Sequence, residues 1–275
     1  MKKTLTLLAL VPVLTLAACN QQKGIGEKKA RTVFDEINEG QNAPDFSWPE
    51  KYMLTNNSKV SMTMSGQTLS DSIQVSKMIV DIKNYIVYRE TTLTSDGVSL
   101  VTKDWLYFDG NNCIQASQMD SEKQYMVTVQ NELELENTKA SIKSNYYDAA
   151  IKLPTFEEFC DSASLPELEK QGIKFDLIYH STGAGNLSVD YIISGGSTQK
   201  DQGLDMTTKY SGTGISLIDG YLPRKSEVRV EGKVTAKASG LTMNMNSITE
   251  TKVEMEYVNV PTIELPDLTS FELVG

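Results

Sequence analysis

Histidine is almost missing from this chain: His180 is the only one in 275 residues. That excludes the zinc-binding H-E-x-x-H pattern. A Ser-His-Asp arrangement would have to be built around His180, which stands in Asp176-Leu177-Ile178-Tyr179-His180 on a predicted strand beside Ser181. A lone histidine at a strand end reads as an exposed or hydrogen-bonded side chain. Basic residues are also short, 26 against 36 acidic for a formal charge of −10, which argues against nucleic acid, whose phosphates demand neutralisation. The same deficit means that charge does not draw the chain to anionic lipid. No loop has the D-x-[DN]-x-[DN]-G spacing of an EF-hand, so Glu132, Glu134 and Glu136, like Glu157 and Glu158, read as solvated faces. The glycines of Gly183-Ala184-Gly185, Gly195-Gly196 and Gly212-Thr213-Gly214 do not follow a strand and open a helix as a phosphate cradle would, and hairpin turns account for them. No metal site, cofactor or enzymatic activity is expected.

Long hydrophobic runs are confined to the start. Lys2 and Lys3 form a positive region, Leu5 to Leu16 an apolar one broken by Thr6, Pro12 and Thr15, and Leu16-Ala17-Ala18-Cys19 a small-residue cleavage site. The run is too short for a hydrocarbon core that needs about 20 residues. Residues 1–18 therefore read as an export signal that is removed. The stretch resembles the lipobox of bacterial lipoproteins, and the resemblance implies that Cys19 receives a diacylglyceryl group and becomes the first residue of the mature chain. Two or more acyl chains hold a protein stably where one does not. The protein is then tethered outside the cytoplasmic membrane, to an outer membrane or to the outer face of a single cytoplasmic one; Asn20 does not decide between them. Loss of Lys2 and Lys3 moves the formal charge from −10 to −12. Of three cysteines, Cys113 and Cys160 remain. They could form a disulfide outside the cytoplasm or be two buried free thiols.

Residues 20–29 read as a spacer, and Ala30, Val33, Phe34 and Ile37 fall at helical spacing within Glu27 to Asn38, with Gly40 as the stop; residues 19–44 thus form the lipidated N-terminus, spacer and short helix. From Lys59 the period changes to two. Val60, Met62 and Met64 alternate with Ser61, Thr63 and Ser65. Further strands are expected at Ile73 to Ile82, Tyr85 to Leu93, Val98 to Thr102, Asp104 to Phe108, Cys113 to Met119 and Gln124 to Gln130, separated by turns at Gly66, Asn84, Asp96-Gly97 and Asp109-Gly110. A helical interlude over Leu133 to Lys152, with Ile142, Tyr146 and Ala149 on one face, ends at Pro154, and a second helical piece spans Phe156 to Gln171. Strands resume at Lys174 to Ser181, Leu187 to Ser194 and Leu204 to Tyr210. In the last pair Val228, Val230, Val234 and Ala236 alternate with charged or polar residues, and after Ser239-Gly240 a partner runs from Leu241 to about Tyr257. Residues 45–275 show no linker or composition shift and read as one domain. The fold class is mainly β (α+β): a large curved antiparallel sheet, an unclosed half-barrel with a few covering helices.

Methionine is the unusual ingredient of these strands. Met62, Met64, Met78, Met119, Met126, Met206, Met243, Met245 and Met255 all lie in predicted strands or at their ends, where β-branched and aromatic residues are the usual choice. A flexible, polarisable side chain suits an apolar surface that accepts acyl chains; an ordinary core built with methionine is the other reading. Val60, Met62, Met64, Met243 and Met245 are the candidate ligand-binding residues.

Asp104-Trp105-Leu106-Tyr107-Phe108-Asp109-Gly110, and Tyr257-Val258-Asn259-Val260-Pro261 with Ile263-Glu264-Leu265-Pro266, together with the lipobox and the order of elements, resemble the LolA/LolB and LppX/LprG group of lipoprotein-related proteins. The resemblance implies an unclosed half-barrel with helices over its mouth and a hydrophobic cavity for lipid or lipoprotein acyl chains. LolA itself is a soluble carrier, whereas this chain reads as anchored, which leaves lipid binding at a membrane surface as the expected function, with a lipid or other apolar ligand as its partner. RseB, an envelope-stress regulator, resembles LolA in one domain while acting through protein partners, so the alternative is a protein-interaction or envelope-sensing module with an envelope protein as partner.

Overall fold

The computed structural model describes residues 24–160, 172–201 and 204–274. The export signal, the lipobox with Cys19, and most of the second helical piece lie outside the described residues, as does the side chain of Cys160. The elements run α1 (Glu27–Gln41), β1 (Lys51–Met64), β2 (Gln67–Asp81), β3 (Ile86–Ser95), β4 (Val98–Asp109), β5 (Asn112–Met119), β6 (Glu122–Val129), α2 (Glu132–Ile142), a π-helical stretch (Lys143–Asp148), α3 (Ala149–Ile151), α4 (Phe156–Cys160), β7 (Ile173–Gly183), β8 (Asn186–Asp201), β9 (Leu204–Asp219), β10 (Leu222–Ala238), β11 (Leu241–Glu256) and β12 (Glu272–Leu273). The chain is mainly β. Its strands form one sheet in the order β12-β6-β5-β4-β3-β2-β1-β11-β10-β9-β8-β7, which leaves β12 and β7 as edges and so is not closed into a barrel. Short turns join sequence neighbours, which is why the pairings of β2 through β6 and of β7 through β10 are antiparallel; β12 adds to β6 in parallel.

Contacts divide the chain into two compact units. The first comprises Met1–Phe46, Lys59–Asp71 and Leu153–Val253, the second Ser47–Ser58, Ser72–Lys152 and Glu254–Gly275. The division cuts through strands β1, β2 and β11, so no linker composition marks it in the sequence.

In the first unit α1 lies on the sheet. Ala30, Val33, Phe34 and Ile37 are buried against Leu177, Tyr179, Leu187, Val189, Tyr191 and Ile193, with Phe34 edge-on to Phe156 at 5.5 Å. The helix runs past Gly40, where a stop was expected, to Gln41. The reason is steric: a Cβ at Gly40 would stand 2.2 Å from the Tyr221 ring, so this glycine serves close packing and not termination. Buried Gln41 secures the helix end, donating to the Tyr221 carbonyl at 2.7 Å and accepting from Leu153 N–H at 3.3 Å.

The second unit has a core on each face of its strands. On one, Tyr52, Met78, Val80, Val87 and Met255 meet Ile142, Tyr147 and Ile151 of the helical interlude. An Asn131–Glu134 capping box starts α2. Of the expected helical face of Ile142, Tyr146 and Ala149, Ile142 is buried and Tyr146 packs half-buried against the same core, whereas Ala149 is exposed; Tyr147 and Ile151 are buried instead, because the π-helical stretch inserts a residue and rotates the turn after it. On the other face Trp105, Tyr107, Ile114 and Ala116 are covered by Ile263, Leu268 and Phe271 of the C-terminal tail, and the Trp105 indole donates to the Glu264 carbonyl at 3.0 Å. The two segments singled out in the sequence, 104–110 and 257–266, thus meet. Val98 to Thr102 and Asp104 to Phe108 are one strand, β4, since Lys103 continues the ladder opposite Glu90.

Candidate functional site

The candidate residues come from two hairpins of the first unit. Ser65 and Gly66 turn β1 into β2 with φ of 49° and 85°, and Ser239 and Gly240 turn β10 into β11 with 49° and 81°, the paired positive angles that match strand twist. β1 and β11 are neighbours in the sheet. Ser65 N–H donates to the Asn244 carbonyl at 2.8 Å, which brings the Met62–Met64 end of β1 alongside the Met243–Met245 end of β11. The two-residue turn sets Ala238 beside Leu241, hence Ala236 beside Met243 and Val234 beside Met245; Thr235 donating to Asn244 at 3.0 Å and Arg229 pairing with Glu250 keep this register. Val60, Met62 and Met245 are half-buried, while Met64 is 38% and Met243 55% exposed. The other methionines divide: Met78 and Met255 are core of the second unit at 6% and 4%, the ordinary use of a gap-filler.

What the sequence reading did not single out is the face these residues share. Tyr191, Gly214 and Val228 are in register across β8, β9 and β10, as are Ile193, Gly212 and Val230, and Gly232 of β10 faces Ser247 of β11. Followed by alternation, this face takes every second residue of β8 from Leu187 to Gln199, of β9 from Met206 to Ile218, of β10 from Ser226 to Ala238, of β11 from Leu241 to Val253 and of β1 from Val60 to Met64. None of these is charged. Its polar groups are hydroxyls and amides, among them a buried chain in which Tyr191 donates to Ser216 at 2.7 Å and Ser216 to Ser226 at 3.1 Å. Burial, opposed by the Ser216 bond, pushes the Tyr191 phenol up to about 12, so it stays neutral. The charges stand on the opposite face, where Lys225 meets Glu227 at 2.8 Å and Arg229 meets Glu231 at 3.0 Å. The bond to Glu231 and the charge of Glu250 raise the Arg229 pKa further above its ordinary value. Part of the uncharged face carries α1; Val60, Met62, Met64, Met243 and Met245 belong to the part that no described residue of the α1 core covers.

No protein-family model matches the chain. No curated protein matches it. Among solved structures, the crystal structure of Pseudomonas aeruginosa OccK5 (OpdH) is similar at 5% identity over 75% of this chain and 98% of that one, with a TM-score of 0.16; a likeness at that level carries no argument about fold or function.

The remaining sequence candidates lie elsewhere. His180 is exposed and pairs through Nε2 with Asp190 at 3.2 Å, on the charged face. Cys113 is a buried free thiol on β5 of the second unit, its pKa raised by burial, and the side chain of Cys160 lies outside the described residues. Glu134 and Glu158 serve capping boxes, and Glu157 pairs with Arg31. Among the described residues no group of three His, Cys, Asp or Glu is placed to hold a metal ion, and no helix is long and apolar enough to cross a membrane. The glycine pairs Gly195-Gly196 and Gly212/Gly214, expected in hairpin turns, lie inside β8 and β9 instead. A Cβ at Gly212 would stand 2.4 Å from the Arg229 carbonyl oxygen and one at Gly196 2.2 Å from that of Thr208, so close strand approach explains them.

Proposed function

We propose that this protein is an extracytoplasmic lipoprotein, anchored through Cys19 in the cell envelope, that binds an apolar ligand, a lipid or acyl chain, in an unclosed half-barrel and carries out no catalysis. The observation that carries the reading is the face without charge: strands β1 and β8–β11 put every charged group of these stretches on one side, and the other side continues beyond α1 into exposed Met64 and Met243. A buried core needs such a face only where something covers it. Where Met64 and Met243 stand exposed beyond the α1 core, an apolar ligand is the fitting cover, since each Å² removed from water contributes about 25 cal/mol and an acyl chain therefore gains several kcal/mol without directional contacts. Flexible methionines adapt to chains of different shape.

The test is a pair of variants on one strand. Met64→Asp puts a charge on the uncharged face and should abolish uptake of a fluorescent acyl probe; Thr63→Asp, one residue away on the opposite face, should leave uptake unchanged. Equal uptake by both variants removes the site. Native mass spectrometry with lipid extraction identifies the cargo class, and a protein that carries no lipid and takes up no probe transfers the function to the protein-interaction or envelope-sensing module.

A further inference from the structure

The uncharged face also bears on which apolar ligand it holds, and this step rests on the ligand-binding reading above. An acyl chain laid along Met64 and Met243 has to bring its headgroup near the same strands. Residues 60–70 contain no charged side chain and residues 234–249 contain only Lys237. Lys237 is exposed and belongs to the alternate set of β10 that carries Arg229, Glu231 and Lys233, away from Ala236. Among the described residues of these stretches a carboxylate or phosphate drawn against this face would find no cation, and an anion moved out of water without a partner is strongly disfavoured. The polar groups that are present, Ser247 and Thr249 of β11, donate and accept as neutral hydroxyls. Hydroxyls of that kind satisfy an ester or an alcohol as well as water does.

We propose that the surface formed by β1, β10 and β11 selects amphiphiles with an uncharged headgroup, such as acylglycerols, over fatty-acid anions and anionic phospholipids. The formal net charge of −12 left without Lys2 and Lys3 acts in the same direction by repelling anions at long range.

Myristate and monomyristin share one acyl chain and differ in headgroup charge at pH 8, so their ratio of affinities isolates the effect. Residues 20–275 hold every element of both units and are the material for the measurement, by displacement of a fluorescent monoacylglycerol below the micelle concentration of either probe. Monomyristin is expected to bind at least tenfold more tightly. Met243→Lys, at a 55% exposed position where a lysine is accommodated without burial, supplies the missing cation and should lower that ratio at least threefold, while Met243→Gln leaves it unchanged. Because the readout is a ratio, a general weakening by the substitution cancels. Equal affinities, a preference for myristate, or a ratio indifferent to Met243→Lys overturns the headgroup selection and leaves lipid binding standing. Binding of neither probe overturns both.

Discussion

Asp81 is the buried charge on which the second unit most visibly depends. Its side chain is 4% exposed and meets Lys51 Nζ at 2.7 Å, joining the end of β2 to the start of β1. Asn84 donates to it twice, from its backbone at 3.1 Å and its side chain at 2.9 Å, closing the turn in which Tyr85 takes a φ of 53°. Asp81→Ala removes three charge-assisted contacts, each of about 1.5–3 kcal/mol when left unreplaced. Lys51 is 36% exposed and Asn84 is exposed, so both regain water and the loss shrinks. The expected destabilisation is about 2–3 kcal/mol. Both tryptophans, Trp48 and Trp105, lie in the second unit, so their fluorescence in urea reports that unit alone. The pH dependence gives a second constraint. Burial pulls the Asp81 pKa up, but the bonds from Lys51 and Asn84 and the charge of Lys51 outweigh it and leave it below the ordinary carboxylate value. A lowered folded-state pKa contributes stability that is present above the unfolded value of about 3.9 and is lost as pH falls through the folded one. The gap between wild type and variant should therefore hold from pH 5 to 8 and narrow below about pH 4. A loss under about 0.5 kcal/mol at pH 7, or a gap that widens in acid, would refute the assignment of Asp81 as a paired, ionised anchor.

The same packing sets three other outcomes. Phe34→Ala, at a position 1% exposed and edge-on to Phe156, should cost about 3–5 kcal/mol of the first unit's stability by circular dichroism in urea. Gly40→Ala separates two effects of opposite sign: helix propensity predicts a gain of about 1 kcal/mol, whereas the Tyr221 ring 2.2 Å from the new Cβ predicts a loss, and a lower Tm is the expected result. Cys113, 3% exposed with its pKa raised, should react with a thiol reagent only on unfolding; rapid labelling at Cys113 itself, located by peptide mapping of the native protein, would contradict its burial.

Much of the fold was legible along the chain because a strand with one buried face announces itself at period two. Val60, Met62 and Met64 alternate with serine and threonine, and Val228 to Ala236 alternate with charged or polar residues, so the second half of β1 and much of β10 could be read directly, whereas the start of β1 at Lys51 carries no such alternation. Helix α1 was legible for the same reason at period 3.6, through Ala30, Val33, Phe34 and Ile37. Glycine was the main source of error. Gly40, Gly196 and Gly212 look like punctuation in one dimension, but each answers to a neighbour distant in sequence: the Tyr221 ring, the Thr208 carbonyl and the Arg229 carbonyl. Gly40 and Tyr221 are far apart in the chain, and no local pattern connects them.

The candidate site divides the same way. Sequence alone determined that residues 228–236 put their charges on one side of a strand and their apolar residues on the other, and that Val60, Met62 and Met64 share a side opposite serine and threonine, because side-chain direction in a strand is set by the backbone and needs no knowledge of partners. It could not determine that β1 lies against β11, which joins residues 60–64 to residues 243–245 across the length of the chain, nor that α1 covers one part of the uncharged face and leaves Met64 and Met243 exposed. Those are matters of strand order and helix placement, decided by which long-range contacts bury the most apolar surface at once, and only the tertiary structure holds that information.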